Sequence, residues 1–235
     1  MRIVITRVEN RPDLQKSKTQ VFEDFFSQFQ LRSYKQGETL IRADDDPQGI
    51  FCLTQGYVRQ YIISDLGMEL TLNILQPISY FPMVWAINST PNVYYYEALT
   101  AIEVGRAPKK QVLEFIKEKP ALILDMMSEL LNRYTESLTR IEHLVFSDAY
   151  RRVISVLLYL ASHFGEKSGD EVIVKLRFTH QNIASLVGVA RETVSIELAK
   201  LAQSGLVEFI DRDIIFRDLA KLKQELISAS STDHT

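Results

Sequence analysis

Apolar and polar positions along the 235-residue chain follow two rhythms in succession. From about Leu31 to Val104 short β-branched and aromatic runs alternate with turn signals. The runs are ETLIRADD, GIFCLTQG, YVRQYIIS, ELTLNIL and VYYYEALTAIEV, and the turns fall at Gly37, Asp44 to Pro47, Gly56, Asp65-Leu66-Gly67, Pro77 and Pro91. Strands this short and this evenly spaced predict a closed or rolled antiparallel structure. The first 19 residues are polar and aperiodic, and read as a loosely held arm.

Past Pro120 the period becomes helical. Leu124, Met127, Leu131, Tyr134, Leu138, Ile141 and Val145 recur at alternating steps of three and four, the spacing of a coiled-coil seam. Met126 and Leu130 form a second stripe that is expected to pack on the chain's own β domain. Two stripes on one long helix ask for two partners, and a second copy of the same helix is the simplest second one, so the chain is predicted to be a homodimer. The seam ends at FSDAYRR, where Ser147 or Asp148 can cap a new helix through Tyr150, Val153, Ile154, Leu157, Leu158 and Leu160. Gly165 to Gly169 read as a loop, EVIVKLRF as a strand, and Thr179 as the cap of HQNIASLV.

Counting from His180, Ala184 stands fifth, Gly188 ninth and Val194 fifteenth, with Ile183, Val187, Val189 and Leu198 as apolar contacts. This is helix-turn-helix spacing: the small residue permits a close crossing, the glycine a tight turn, and Val194 plugs the corner. In such a unit the second helix enters the major groove of DNA, and Arg191, Glu192, Ser195 and Ile196 fall on its outward face. Thr179, Gln181 and Thr193 suit phosphate oxygens. Taken alone, the same block also suits a surface helix whose Arg and Glu are merely solvated. Downstream, GLVEFIDRDIIFRD reads as two strands, Leu206 to Ile210 and Asp213 to Phe216, a wing with Arg212 at its tip for a phosphate. Helix-turn-helix and wing together favour DNA.

Composition changes the picture little. Lys and Arg number 27 against 30 Asp and Glu, a net charge of −3, so local placement has to carry any nucleic-acid argument. A single cysteine, Cys52, excludes an internal disulfide and a four-cysteine iron–sulfur cluster. It reads as a small buried hydrophobe. The amino end is too short in apolar residues for a signal peptide, and VISVLLYLASHF stops at Ser162 and His163 short of membrane-spanning length, so no membrane attachment and a cytoplasmic location are expected. There is no nucleophile beside a base, no paired carboxylates at a plausible site and no glycine-rich phosphate loop, which argues against an enzyme.

From about Thr19 onward the chain resembles the catabolite activator and fumarate–nitrate regulator (CRP/FNR) family of bacterial transcription factors. The text FTHQNIASLVGVARETVSIELAKLAQSGLVEFIDRDIIF carries the likeness best, preceded in the family's order by the β-roll glycines, the long helix and the FSDAYRR hinge. The resemblance implies an α+β protein: an N-terminal antiparallel β-roll of the cyclic-nucleotide-binding jelly-roll type, a long dimerisation helix and a C-terminal winged helix-turn-helix. Expected boundaries are 1–19 for the arm, 20–118 for the sensor roll, 119–146 for the dimerisation helix and 147–235 for the DNA-binding domain. A homodimer reading a two-fold symmetric double-stranded operator is implied, with RNA polymerase as a further partner.

Two departures qualify the resemblance. The family has an Arg directly after the Ser of its reading helix, aimed at guanine, where this chain has Ile196; an apolar side chain can meet a thymine methyl but cannot pair with guanine. Cyclic-nucleotide binders carry a Gly-Glu pair and, about ten residues on, an Arg that neutralises the phosphate; here Phe81-Pro82 and Asn92 stand near those places. A cyclic phosphate would enter without its charge partner, so cyclic AMP is not expected and the effector is unknown. Phe81, Trp85, Tyr94, Tyr95 and Tyr96 replace the phosphate site. They are either the core of the roll or a pocket for a flatter, more apolar effector, closed by the long helix near Arg133, Ser137 and Leu138, with Arg133 or Arg59 for a charged one. Cys52 or His143 would be the axial ligand if the chain held haem.

Overall fold

The computed structural model describes residues 20–211 and 213–228; the arm predicted over 1–19 and Arg212 lie outside the described residues. Helix α1 (20–26) leads into eight strands, β1 (Leu31–Tyr34), β2 (Thr39–Ile41), β3 (Ile50–Gln55), β4 (Val58–Ile63), β5 (Glu69–Leu75), β6 (Tyr80–Phe81), β7 (Tyr95–Ala98) and β8 (Ile102–Ala107), with α2 (Met83–Asn88) between β6 and β7. They form two antiparallel sheets, ordered β1-β8-β3-β6 and β2-β7-β4-β5. The run VYYYEALTAIEV, read as one strand, bends at Leu99–Ala101 into two strands that lie in different sheets.

Alternation along β3 explains the packing. Phe51 and Leu53 turn into a cluster with Val58, Phe81, Tyr96, Ala98 and Val104, while Ile50 and Cys52 turn the other way into a second cluster with Phe22 and Phe26 of α1, Ala107, Val112, Ile116 and Leu122. The roll therefore buries both faces of one of its sheets. Helices α3 (Lys109–Lys117) and α4 (Pro120–Phe146) follow. Leu122 and Met126 of α4 pack on the second cluster. Leu130, expected beside them, is instead 66% exposed.

The chain forms two units, one of which consists of Ile63–Thr71, the tip of the β4–β5 hairpin, together with everything from Arg133 onward. Here α5 (Ala149–Phe164) begins at Asp148, whose carboxylate accepts the Arg151 amide at 2.8 Å, a cap worth about 1 kcal/mol. Val153, Ile154, Leu157 and Leu160, spaced for one helical face, are fully buried. The predicted loop at Gly165 to Gly169 is instead strand β9 (Gly165–Ser168), antiparallel to β10 (Glu171–Val174). A Cβ at Gly165 would lie 2.2 Å from the Ala161 carbonyl oxygen, so the lack of one lets α5 run straight into the strand. Helices α6 (His180–Val187) and α7 (Arg191–Gln203), strands β11 (Glu208–Ile210) and β12 (Asp213–Phe216), and α8 (Leu219–Ser228) complete the unit, with sheet order β11-β12-β10-β9.

Candidate nucleic-acid interface

Thr179 closes the start of α6 with a reciprocal cap: its hydroxyl accepts the Asn182 amide at 3.0 Å, and the Asn182 side-chain oxygen accepts the Thr179 amide at 2.9 Å. The hydroxyl also donates to that oxygen at 2.7 Å, so Thr179 fixes the helix end with both its amide and its hydroxyl hydrogen held by Asn182. At the other end Gly188 takes φ +73°, a left-handed conformation that suits glycine, and its amide donates to the Ala184 carbonyl at 2.8 Å. Ala184 and Val194 are buried where α6 and α7 meet.

On α7 the side chains divide by helical period. Val194, Glu197, Leu198 and Leu201 are buried, while Arg191, Glu192 and Ile196 are exposed, Ile196 by 57%, and Thr193 and Ser195 are half-buried. Ala190 stands at the cap position without a side-chain oxygen, so no cap side chain occupies the first amides of α7, at the positive end of the helix dipole. Gln181 is exposed on the first turn of α6. Strands β11 and β12 pair as a hairpin, Glu208 with Ile215 and Ile210 with Asp213, and Asp211 turns the chain with φ +49°. Arg212, predicted for the wing, lies outside the described residues.

Two residues here escaped the sequence argument. His180 Nδ1 lies 2.8 Å from Ser195 Oγ, joining the start of α6 to the outward face of α7. Arg140, on α4 and off the predicted seam, donates from Nη2 to the carbonyls of Thr71 at 2.5 Å and Leu186 at 2.6 Å. The Thr71 hydroxyl in turn shares a buried 2.8 Å hydrogen bond with Ser185 on α6. Helix α4, the hairpin tip and the helix-turn-helix are thus tied by polar bonds through one guanidinium, whose pKa burial lowers from its ordinary value.

The seven predicted seam residues, Leu124, Met127, Leu131, Tyr134, Leu138, Ile141 and Val145, are all exposed, by 47–67%. They form an apolar stripe along a 27-residue helix.

In the roll, the aromatic residues named as a pocket separate. Phe81 stacks between Phe51, at 5.6 Å, and Tyr96, at 4.9 Å, inside the core. Burial pushes the Tyr96 hydroxyl above its usual range, and the side chain of Gln60 donates to it at 3.1 Å. Tyr94 packs at the edge of the same core, whereas Tyr95, on the opposite face of β7, stacks on Tyr61. Trp85 and Tyr94 line a 230 Å³ hollow with Pro82, Pro91 and Asn92. Asn92 uses both amide hydrogens on the carbonyls of Arg42 and Tyr94, at 2.9 and 2.8 Å. Arg59 forms a two-pronged pair with Glu97, at 3.0 and 3.1 Å, and lies over the Tyr61 ring. On α4, Ser137 donates to the Arg133 carbonyl at 2.8 Å, Arg133 stands near enough to Glu136 and Tyr159 to bias their charge, and Leu138 belongs to the exposed stripe.

Burial, aided by the charge of Glu23, pushes the Cys52 thiol up to about 12, which keeps it protonated and unreactive at neutral pH. Burial also lowers the pKa of His143. Among the described residues no three His, Cys, Asp or Glu side chains are grouped to hold a metal ion, and no helix is long and apolar enough to cross a membrane.

Comparison with known proteins agrees with this layout. Residues 31–119 match the cyclic nucleotide-binding domain, and residues 151–225 match the Crp-like helix-turn-helix domain. The chain is 27% identical over 197 residues to the global nitrogen regulator of Synechocystis sp., an alignment spanning 83% of this chain and 88% of that one. It is also 27% identical over 198 residues to the cyclic AMP receptor protein of Thermus thermophilus, spanning 84% and 88%. The structure of a CRP/FNR-family transcriptional regulator from Thermus thermophilus superposes with a TM-score of 0.68 at 26% identity, covering 85% of this chain and 98% of that one. The chain thus carries a cyclic nucleotide-binding domain followed by a Crp-like helix-turn-helix domain, and the relatives it matches along most of its length are transcription regulators of the CRP/FNR type, not enzymes.

Proposed function

We propose that the protein is a cytoplasmic homodimer that reads a two-fold symmetric DNA operator with α7 and acts on RNA polymerase, its roll serving as the sensor of a small effector other than cyclic AMP. The reading rests on one observation above the rest: Arg191, Glu192 and Ile196 stand clear of the protein on the same face of a helix whose other face is buried. Arg191 can take phosphate or the acceptors of guanine, and Glu192 can accept from the amino group of cytosine. Gln181 and Thr193, and the start of α6 that Thr179 caps, are assigned to phosphates, with Arg212 as the wing's contribution. In this scheme 20–118 is the sensor, 119–146 the dimerisation helix and 147–235 the reading domain.

At the places where a cyclic-nucleotide binder needs charge, this roll has a stacked Phe81 and an Asn92 with no amide hydrogen to spare, and its buried Arg59 is neutralised by Glu97. The relative named as a cyclic AMP receptor protein therefore shares the fold without predicting the ligand. A second reading, a regulator that needs no effector, is favoured by the Phe51, Phe81 and Tyr96 stack, which fills the interior of the roll with its own side chains.

Selection from random duplexes tests the main reading. It is expected to yield two inverted half-sites centred about 34 Å apart, one helical turn, with no guanine preference at the base step beneath Ile196. Ile196→Arg is expected to introduce guanine there, at about 1–3 kcal/mol of discrimination. Recovery of guanine at that step by the parent would contradict the reading of Ile196, and recovery of no common sequence would contradict the operator itself.

A further inference from the structure

Ser195 stands on the outward face of α7, and its neighbour His180 bears on which bases it can take. His180 Nδ1 lies 2.8 Å from Ser195 Oγ, and Ser195 Oγ lies 3.0 Å from the Arg191 carbonyl oxygen. A serine hydroxyl has one hydrogen and two lone pairs. The carbonyl can only accept, so two arrangements satisfy the three groups. In one, imidazole Nδ1–H donates to Oγ and the hydroxyl donates to the carbonyl. In the other, the hydroxyl donates to an unprotonated Nδ1. In both, the only hydrogen of Ser195 is engaged within the protein, and what remains to face outward is a lone pair.

We propose that His180 is a specificity-determining residue, which makes Ser195 an acceptor-only reader of DNA. A free serine can donate or accept and so tolerates any base edge. With its hydrogen held, Ser195 selects a base that presents an exocyclic amino group in the major groove, N6 of adenine or N4 of cytosine. It disfavours guanine and thymine on the strand it faces, since their oxygens would meet its lone pair. The inference rests on α7 facing a duplex, as proposed above. It deepens that reading by assigning a base class to one position and a role to a residue of the other helix.

The test uses the full chain and a panel of symmetric duplexes carrying each of the four bases at every half-site step. Ser195→Ala locates the step that the hydroxyl reads, as the step whose preference it changes. There the parent is expected to favour adenine or cytosine by about tenfold, one hydrogen bond's worth of discrimination. His180→Phe keeps a ring of similar size but no nitrogen, and His180→Ala removes the ring; His180 is exposed, so neither change disturbs the core. In both variants the hydroxyl keeps only its bond to the Arg191 carbonyl, which it can exchange for one to a base oxygen, and it is expected to accept guanine and thymine to within about threefold of the preferred bases. An unchanged profile in both, a parent that favours guanine or thymine at that step, or a Ser195→Ala variant with no altered step overturns the inference while the DNA reading stands. A parent that distinguishes no sequence overturns both.

Discussion

Leu131→Glu combined with Leu138→Glu is expected to leave a protein with the mass of one protomer in sedimentation, against an expected mass of two for the parent. Both leucines lie on the exposed stripe of α4, 58% and 47% open to solvent in the single chain. The stripe sets seven apolar side chains at coiled-coil spacing along a helix about 40 Å long, and a second copy of that helix is what such spacing fits. Against a second copy each buried leucine contributes about 1.5–3 kcal/mol, and two-fold symmetry counts every substitution twice. Glutamates facing their own copies add like-charge repulsion to that loss. Because a monomer holds only one half-site, affinity for a symmetric operator is expected to fall by about 100-fold or more with it. A double variant that still sediments as a dimer would move the interface off this stripe.

Arg140→Ala is expected to lower the thermal midpoint by about 5–10 °C, a large effect for a residue outside any apolar core. Its guanidinium is the donor that the Thr71 and Leu186 carbonyls share, and hydrogen bonds to a charged group are worth about 1.5–3 kcal/mol each. Arg140→Lys is expected to recover only part of the loss, since its ammonium sits on a shorter side chain and is more strongly hydrated than the buried Nη2 that meets both carbonyls. The contact also lies where motion of the hairpin tip can reach α6, so the alanine variant is expected to weaken any dependence of operator affinity on effector. An unchanged midpoint in Arg140→Ala would show that these bonds contribute little and would remove the residue from the coupling scheme.

How far the sequence could be read follows from the range of each interaction. The helix-turn-helix was legible because its determinants lie within fifteen residues and obey helical period: Ala184 small, Gly188 left-handed, Val194 buried. The α4 stripe was legible for the same reason. Strand β9 was not, because Gly-Glu-Lys-Ser has no apolar alternation and is held to β10 by its backbone ladder. The aromatic run Tyr94 to Tyr96 showed its alternation but could not show that Phe81 and Tyr96 stack inside the roll while Trp85 borders a hollow outside that stack, since both settings suit the same residue types. Leu130 was misjudged because periodicity places a residue on a face without saying whether anything meets it. His180 and Arg140 were invisible: their bonds reach across 15, 46 and 69 residues, and no local pattern encodes such pairs.

The most direct test of the central claim, that the outward face of α7 reads DNA, is the affinity of an Arg191→Ala, Glu192→Ala double variant for the operator selected by the parent, measured beside an unrelated duplex at the same salt. With two base-facing side chains removed, specific binding is expected to fall by about two to four orders of magnitude toward the unrelated duplex, which both proteins should hold alike. A double variant that holds the operator as tightly as the parent would contradict the claim.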